Sequence, residues 1–367
     1  MSSAPPVDIF IAEVEAFGGA ERADLALSHW LYAHGIPNRV LTYSDRVGLE
    51  KHVAHPLEVV QLRPAGGVFA KVGALRRHFR NGTTQPRLIV SGYQPALHAT
   101  LAGLRGFHCL MHDTPALLSD AGHRSMTGKL RIAAQNFIIG RGLRSGGATI
   151  VTSEFLKAEC RKDFGVEAAI ARMGGLPPVD GFQVRPFMGN LNLVSVCRIE
   201  ANKRIDWMLH SLAALEARAT PLSSTANWQL RLAGKGSQID ALRALALKLH
   251  IADRVQFLGF VPDDELQTLM REAHLFLMPA LQGFGIPAVE AIQAGMPVLL
   301  HRESGVSDIL LNTPWATVFT GGADAMTAAL QTAVAGVVEG RHIGKPLPEI
   351  SSEADWAERV AGLCGWA

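Results

Sequence analysis

Residues 275–292 read LFLMPALQGFGIPAVEAI, and the fold of the chain can be predicted outward from this stretch. Four consecutive apolar residues, Leu275–Met278, predict a strand that is buried on both faces, as in a parallel sheet. A loop with two glycines follows, and Pro287 suits the first turn of a helix. The stretch therefore predicts a strand, a loop and a helix in the order that α/β folds repeat.

The same alternation runs along most of the chain. Strands are predicted at residues 7–11, 39–42, 58–62, 88–91, 107–111 and 149–152, and again at 191–197, 229–232, 255–258, 275–278 and 298–300. Helices are predicted between them, at 19–34, 68–80, 128–141, from about 203, up to about 250, at 263–273 and at 287–294. Apolar strands that alternate with helices predict parallel sheets covered on both faces.

The length of the chain predicts two domains. A chain of 367 residues is too long for one ordinary core. Pro and Gly cluster at GGLPP, residues 174–178, and again at Pro186 and Gly189, which indicates a linker. We therefore predict two doubly wound α/β domains with a boundary at residue 185. Ligands of such sheets bind beyond the carboxyl ends of the strands, so the chemistry is expected in a cleft between the two domains.

Composition limits the classes of protein to consider. Hydrophobic residues make up 48% of the chain and charged residues 19%, which indicates a folded globular protein. Four cysteines, Cys109, Cys160, Cys197 and Cys364, lie far apart without CxxC spacing and are expected to be buried thiols in a reducing compartment. No signal peptide and no apolar run of about 18 residues is found, so a cytoplasmic location is expected. The net charge of +2 argues neither for nor against nucleic acid, and no nucleic-acid partner is expected.

Charge is divided unevenly along the chain. Residues 1–185 hold 21 Lys+Arg against 15 Asp+Glu, and the remainder holds 14 against 18. Basic residues flank apolar ones in two predicted helices: Arg76, Arg77 and Arg80 in one, and Lys129, Arg131, Arg141 and Arg144 in or beside the other. Basic amphipathic helices can lie on anionic lipid, but ordinary surface helices have the same pattern. Peripheral contact of the first domain with a membrane is one interpretation, and solvated helix faces are the other.

The glycine loop and its helix also resemble a known motif. Residues 282–298, QGFGIPAVEAIQAGMPV, closely resemble the donor signature of family 4 retaining glycosyltransferases, which have the GT-B fold. That signature places two glutamates, seven residues apart, around Gly-Phe-Gly and ends in Gly-x-Pro-Val. The resemblance implies that Glu290 holds the ribose hydroxyls of the donor, with Gly283, Phe284 and Gly285 beside it. Gln282 occupies the place of the first glutamate, which lies beside the donor sugar, and is predicted to be catalytic.

Other strand ends of the second half extend this resemblance. Arg198 and Lys203 follow the strand at 191–197 and are suited to a diphosphate, because Arg binds phosphate oxygens in bidentate fashion and Lys acts as a compact charge. Their segment resembles the diphosphate-binding Gly-Arg…Lys of the family, although Cys197 stands where glycine is commoner. Residues 258–261, LGFV, resemble the element along the nucleobase, which implies a contact from Val261. Residues 233–236, AGKG, either resemble the Gly-x-Gly turn of the family or form only a tight turn.

Two motifs of the first half fit the same family. Gly18 and Gly19 resemble the Gly-Gly-Ala-Glu entry, which lies against the donor phosphates and sugar; a glycine turn for helix packing is the alternative. His112 follows the strand at 107–111 and resembles the His-Asp whose His approaches the donor sugar, although a lone His is often structural. Residues 355–360 look like the final helix, which crosses back to the first domain. The acceptor region, about 44–82, matches nothing specific.

The resemblance implies a function for each domain. Residues 1–185 with 352–367 would bind the acceptor, and residues 186–351 would bind a UDP- or GDP-sugar. The sugar would pass, with retention, to an unidentified glycan, lipid or small molecule, as in glycan, polysaccharide or glycolipid synthesis. No metal or other cofactor is expected, because Arg198, Lys203 and backbone N–H groups near Gly18 would stabilise the charge on the leaving diphosphate. Two alternatives remain: a weak or inactive GT-B protein that binds a nucleotide-sugar or a partner, with Gln282 as its support, and a nucleotide-sugar epimerase.

Overall fold

The computed structural model describes residues 5–80, 87–113, 126–174, 184–217 and 227–367. By its internal contacts the chain divides into two units, Met1–Gly174 with Ser351–Ala367, and Gly175–Ile350. The sequence predicts the boundary at residue 185, whereas the contacts place it after Gly174. Most of the predicted linker, residues 175–183, lies outside the described ranges.

The first unit is built on a parallel sheet. Its described strands are β1 (Val7–Phe10), β2 (Glu13–Val14), β3 (Asn38–Thr42), β4 (Ser44–Asp45), β5 (Glu58–Gln61), β6 (Arg87–Ser91), β7 (His108–Met111), β8 (Thr149–Val151) and β9 (Ala169–Ile170). Seven of these described strands form one sheet in the order β5-β3-β1-β6-β7-β8-β9, and β2 pairs separately with β4. All residues of β1 and of β8 are buried, as their apolar sequences predict.

Helices cover this sheet. Those described in the first part of the chain are α1 (Gly19–Ala33), α2 (Val68–Arg80), α3 (Tyr93–Leu101), α4 (Met126–Leu143) and α5 (Glu154–Phe164). The sequence predicts α2 with both its ends, but not α3 or α5. Helix α5 is mostly charged and buries only Leu156, Cys160 and Phe164, so its apolar stripe is one residue wide at four-residue spacing.

The second unit has its own parallel sheet. Its described strands are β10 (Asn190–Val196), β11 (Asn227–Ala233), β12 (Val255–Gly259), β13 (Leu275–Met278), β14 (Val298–His301) and β15 (Ala316–Phe319), in the order β12-β11-β10-β13-β14-β15. The described helices are α6 (Ile205–Glu216), α7 (Ile239–Lys248), α8 (Asp263–Glu272), α9 (Ile286–Gln293), α10 (Ser307–Leu310) and α11 (Ala323–Val338). The prediction of two doubly wound α/β domains is confirmed.

Several elements of the second unit differ from the prediction, and β15 and α10 were not predicted. The helix expected from about residue 203 begins instead at Ile205, because a 3₁₀ turn at Ala201–Lys203 is followed by Arg204 in the left-handed region, with φ 53°. Lys203 therefore lies in a turn. Helix α11 was not predicted: small and apolar residues surround it on nearly every side, so its sequence has little periodicity.

The last helix, α12 (Glu353–Leu363), belongs to the first unit. Ser352 caps it: the Ser352 hydroxyl accepts from the Asp355 N–H at 3.1 Å, and the Asp355 carboxylate accepts from the Ser352 N–H at 2.8 Å. Trp356 and Val360 are buried, and Glu353 pairs with Arg22 of α1. The predicted return of the terminal helix to the first domain is confirmed.

The cysteines are unpaired, as expected. Cys109, Cys160 and Cys364 are buried, and Cys197 is half-buried at the end of β10. Over the described ranges, no helix combines the length and the apolar character that crossing a bilayer requires.

Candidate functional site

In both sheets the strand order reverses beside the first strand. The chain adds β11 and β12 on one side of β10 and then β13, β14 and β15 on the other; in the first unit β1 has β3 and β5 on one side and β6 to β9 on the other. The loops that follow the two strands at such a reversal diverge and leave a crevice, which is where doubly wound sheets bind ligands. Each unit therefore has one favoured place for a site.

In the second unit the loops after β10 and β13 are bonded to each other. The Leu281 N–H donates to the carbonyl of Asn202 at 3.0 Å, and the Asn202 amide donates to the carbonyl of Leu281 at 3.1 Å. One residue further along each loop, Lys203 Nζ donates to Gln282 Oε1 at 2.7 Å. The structure thus joins Lys203, which is predicted to bind the diphosphate, to Gln282, which is predicted to be catalytic and lies 79 positions away. The sequence offers no signal for this contact.

Gln282 is buried, with 9% of its surface exposed, and uses both ends of its amide. Oε1 accepts from Lys203, while Nε2 lies 3.2 Å from Ser304 Oγ and 2.8 Å from Met278 Sδ. Ser304 Oγ donates its own hydrogen to the carbonyl of Phe284 at 3.2 Å, so it must accept from Gln282. A carboxylate could take the place of Oε1 but could not donate to Ser304. The site is therefore fitted to an amide at position 282.

Arg198 and Lys203 lie at the same strand end. Arg198 is exposed and Lys203 is half-buried. Both act on the Cys197 thiol: burial raises the pKa of Cys197, and the charges of Lys203 and Arg198 lower it. The two cations predicted to bind the diphosphate therefore share one region at the end of β10.

Arg204 was missed by the sequence analysis. Its guanidinium donates to the carbonyl of Pro279 at 3.3 Å and to His301 Nδ1 at 3.0 Å, and it pairs with Glu303. His301 Nε2 donates to the carbonyl of Gly321 and Nδ1 accepts from Arg204, which is the pattern of a neutral ring. Burial and the charge of Arg204 lower the pKa of His301. Arg204 thus links the ends of β13 and β14, through partners that are distant in sequence.

The other residues predicted to bind the donor substrate here lie in the loop before α9 or inside this helix. Gly283 and Phe284 are buried, and the carbonyl of Phe284 accepts from Ser304 Oγ and from the Val306 N–H, so Phe284 anchors the loop. Glu290 is half-buried, one turn inside α9. Gly285 precedes α9 with φ +119°, and a Cβ there would lie 2.6 Å from Gln282 Nε2 and 2.7 Å from Met278 Cε. The Gln282 arrangement therefore depends on glycine at 285.

The glycines after β11 serve backbone packing. Gly234 has φ +137°, and a Cβ on it would lie 1.8 Å from the Cys197 carbonyl oxygen. The loop is joined to its neighbours because Ile199 N–H donates to Lys235 O at 2.8 Å and Gly234 N–H donates to Gly259 O at 2.6 Å. Val261, just beyond β12, is half-buried. The tight-turn interpretation of residues 233–236 thus explains the glycine at 234.

In the first unit, His112 belongs to a buried polar group. Ser91 ends β6, His112 follows the neighbouring β7, and Asp24 lies in α1, which follows β1 on the other side of β6. Ser91 Oγ donates to Asp24 Oδ2 at 2.6 Å, and His112 Nε2 lies 3.1 Å from Ser91 Oγ and 3.8 Å from Asp24 Oδ1. Asp24 is fully buried. Of these three residues the sequence motifs indicate only His112; the signal for Asp24 is an acidic residue on the apolar face of α1.

The glycine entry of α1 is already occupied. Gly18 caps the helix in an extended conformation, and its N–H donates to the Glu21 carboxylate at 3.0 Å. Burial raises the pKa of Glu21, partly offset by its backbone hydrogen bonds, and the charge of Asp24 raises it further. A phosphate at the Gly18 N–H would have to displace this carboxylate.

Residues 182–336 match the family model of glycosyl transferases group 1. That range includes all the candidate residues of the second unit, from Arg198 to Glu290. The match to this family therefore lies within the second unit. Over the chain outside 182–336 the family model has no match, so the first unit is characterised by its fold.

Curated relatives match part of the chain over part of their own length. The chain is 30% identical over 166 residues to the GDP-mannose-dependent alpha-(1-6)-phosphatidylinositol monomannoside mannosyltransferase of Mycolicibacterium smegmatis, covering 41% of this chain and 42% of that protein. It is 29% identical over 181 residues to the GDP-mannose:cellobiosyl-diphosphopolyprenol alpha-mannosyltransferase of Komagataeibacter xylinus, covering 46% and 42%. The chain thus matches less than half the length of these relatives.

Solved structures match nearly the whole chain. WaaG, a glycosyltransferase involved in lipopolysaccharide biosynthesis, aligns with a TM-score of 0.71 at 18% identity, covering 98% of this chain and 100% of that one. Anabaena HepE in complex with UDP aligns with a TM-score of 0.67 at 16% identity, covering 98% and 100%. At such identities the likeness shows the fold, and the GT-B prediction is confirmed.

Replacing Gly285 tests the geometry of the donor loop. We expect Gly285→Ala to lower the free energy of unfolding by about 1–3 kcal/mol, because alanine is strained at this φ and its Cβ displaces the Gln282 amide. Denaturant unfolding measures the change. Gly336→Ala is the control. Gly336 lies inside α11, and a Cβ there would meet the Arg341 side chain at an ordinary contact distance of 3.7 Å. Equal effects of the two substitutions would contradict the proposed constraint.

Proposed function

We propose that the chain is a family 4 retaining glycosyltransferase that transfers a sugar from a UDP- or GDP-sugar to an acceptor. The observation that carries the proposal is the Lys203–Gln282 contact, which joins the loops after β10 and β13 at the strand-order reversal, inside the range matched by the family model. Relatives named for GDP-mannose and a structure bound to UDP support both classes of donor.

The charges of this region suit a leaving diphosphate. As the bond between sugar and phosphate breaks, negative charge grows on the diphosphate, and fixed cations stabilise it. Arg198 and Lys203 supply two positive charges at the end of β10. Lys203 bonds to the neutral amide of Gln282, so residue 282 itself adds no negative charge beside Lys203. No metal is needed in this proposal.

Other groups are assigned roles from the resemblance. Glu290 would accept hydrogen bonds from the ribose hydroxyls, and Val261 would lie along the base. His112 would approach the donor sugar, and Gly19, together with Gly18 once Glu21 has moved, would lie against the phosphates. In a front-face displacement the leaving phosphate accepts the proton of the acceptor hydroxyl, so no protein nucleophile is required. Two relatives are named for lipid-linked acceptors, which favours glycolipid synthesis.

Donor binding and transfer test the proposal directly. We expect a UDP- or GDP-sugar to raise the thermal midpoint, because a ligand at 100 times its Kd stabilises the native state by about 2.7 kcal/mol. Lys203→Ala and Arg198→Ala should each lower kcat/KM for donor turnover about 10²–10³-fold. Each substitution removes a positive charge that would stabilise the leaving diphosphate in the transition state. EDTA should leave the rate unchanged.

Lys345→Ala provides the control, because Lys345 is an exposed lysine of the same unit outside the strand-end loops. Loss of activity in this variant as well would contradict a specific role of Lys203. Donor binding without turnover would support the non-catalytic alternative, and epimerised donor without any acceptor would support the epimerase.

Gln282→Glu tests whether the native site is impaired by its amide. We expect no gain in turnover and a decrease of about 1–3 kcal/mol in the free energy of unfolding. The reason is that a carboxylate cannot donate a hydrogen bond, so the buried acceptors Ser304 Oγ and Met278 Sδ would lose their donor. The new charge would also neutralise Lys203. Initial rates and thermal midpoints of the two proteins give the answer, and a large increase in kcat would show that the native amide limits catalysis.

We also propose peripheral contact between the first unit and anionic lipid. One face of α4 exposes Met126 (77%), Leu130 (68%) and Phe137 (64%), at spacings of four and seven residues. The basic residues Lys129, Arg131 and Arg141 lie beside it on the same helix. Such a face combines the apolar insertion and the positive charge that interfacial helices use.

Vesicle flotation tests this contact. We expect binding to vesicles with about one third anionic lipid and weaker binding as salt rises, because screening weakens charge attraction. Phe137→Asp should abolish flotation. Leu247→Asp is the matched control, an equally exposed leucine (66%) on a helix of the other unit. Failure of the unaltered protein to float would remove the proposal.

A further inference from the structure

We propose that Asp24 is a positioning residue for His112: through Ser91 it holds His112 Nε2 protonated and leaves Nδ1 as the ring atom that meets the substrate. This inference rests on the proposed function for its catalytic meaning. The arrangement itself is a property of the first unit and can be tested without any donor.

The direction of each hydrogen bond follows from chemistry. A carboxylate only accepts, so the 2.6 Å contact between Ser91 Oγ and Asp24 Oδ2 uses the single hydrogen of the serine hydroxyl. Ser91 Oγ can then only accept from His112 Nε2, at 3.1 Å. Nε2 must therefore carry a proton whether the ring is neutral or charged. Nδ1 is an acceptor in the neutral ring and a donor in the cation.

Asp24 has no simpler structural explanation. It is fully buried in α1, on the face that also buries Leu27, Ser28 and Leu31, where an apolar residue would pack at no electrostatic cost. Its second oxygen, Oδ1, makes no hydrogen bond within the described residues, and His112 Nε2 lies 3.8 Å from it. Burying a carboxylate costs several kcal/mol unless a charge or hydrogen bonds compensate it. A protonated His112 provides that compensation.

The charges around His112 support a cationic ring. Asp24 and Glu21 act on it from α1, Asp113 acts from its own segment, and Ser91 of β6 is uncharged. Burial lowers the pKa of His112, but the nearby carboxylate of Asp24, with the charges of Asp113 and Glu21, raises it above its ordinary value. A charged imidazole held by Nε2 would present a positively charged Nδ1–H to an electron-rich oxygen of the donor.

Histidine NMR tests the proposal in the full-length protein. Proton–nitrogen correlation spectra, with His112→Ala to assign the ring, report both the tautomer and the titration of His112. We expect the Nε2–H tautomer at high pH and a pKa above that of a free histidine. In Asp24→Asn the titration should move down by about 1–3 pH units, as expected when an opposite charge is lost. An Nδ1–H tautomer in the unaltered protein, or a titration unmoved by Asp24→Asn, would overturn the inference.

Ser28→Ala is the matched control. Ser28 is also fully buried, one turn after Asp24 on α1, but it bonds to Asn38 and His55. Its removal should leave the titration of His112 in place, and an equal shift in both variants would point to general loosening of α1 and overturn the inference. Since the unaltered protein already reports the tautomer, a failure of Asp24→Asn to fold does not prevent a decision.

Activity measurements separate this inference from the proposed function. If transfer occurs, Asp24→Asn should lower kcat by about tenfold or more, with little change in the donor KM, and should move one limb of the pH profile to lower pH. Unchanged kcat and pH profile would overturn the catalytic role of Asp24. Absence of donor binding and transfer in the unaltered protein would contradict the proposed function, while the NMR spectra would still decide how Asp24 holds His112.

Discussion

The reversal of strand order beside β1 and beside β10 decides where polar side chains collect in each unit. Parallel strands end at one edge of a sheet, and loops that leave neighbouring strands in opposite directions leave room between them. In the second unit, Lys203 and Gln282 meet at this place. In the first unit, Asp24, Ser91 and His112 come together from three elements. The buried strands of each sheet, such as Leu275–Met278, hold these ends in place.

The amide of Gln282 is integrated into its surroundings. It accepts from Lys203 and donates toward Ser304, and Gly285 leaves the space that this arrangement needs. The departure from the two-glutamate signature therefore matches a site whose hydrogen bonds are filled by an amide, so that residue 282 carries no negative charge. This is the physical argument against reading Gln282 as the mark of an inactive protein.

The two units handle buried charge differently. The second keeps its cations Arg198 and Lys203 at least partly accessible, where screening by water makes them inexpensive. The first buries Asp24 completely and must compensate it nearby. A buried charge is costly, and in our proposal Asp24 therefore holds His112 in one tautomer. In both units a predicted site residue, Gln282 or His112, contacts a polar residue that is distant in sequence.

The amino-acid sequence by itself determined the elements and the kind of fold. Apolar runs such as Leu275–Met278 are local, and so are the Ser352 cap and the glycine loop before α9, so they could be predicted within a few residues. It failed at α5 and α11, where the apolar stripe is narrow or surrounds the helix. Only the tertiary structure decided that Lys203 meets Gln282, that Arg204 links two strand ends, and that Asp24 meets His112. These contacts join residues about 75–100 positions apart, and strand order, which a local pattern does not encode, sets their proximity.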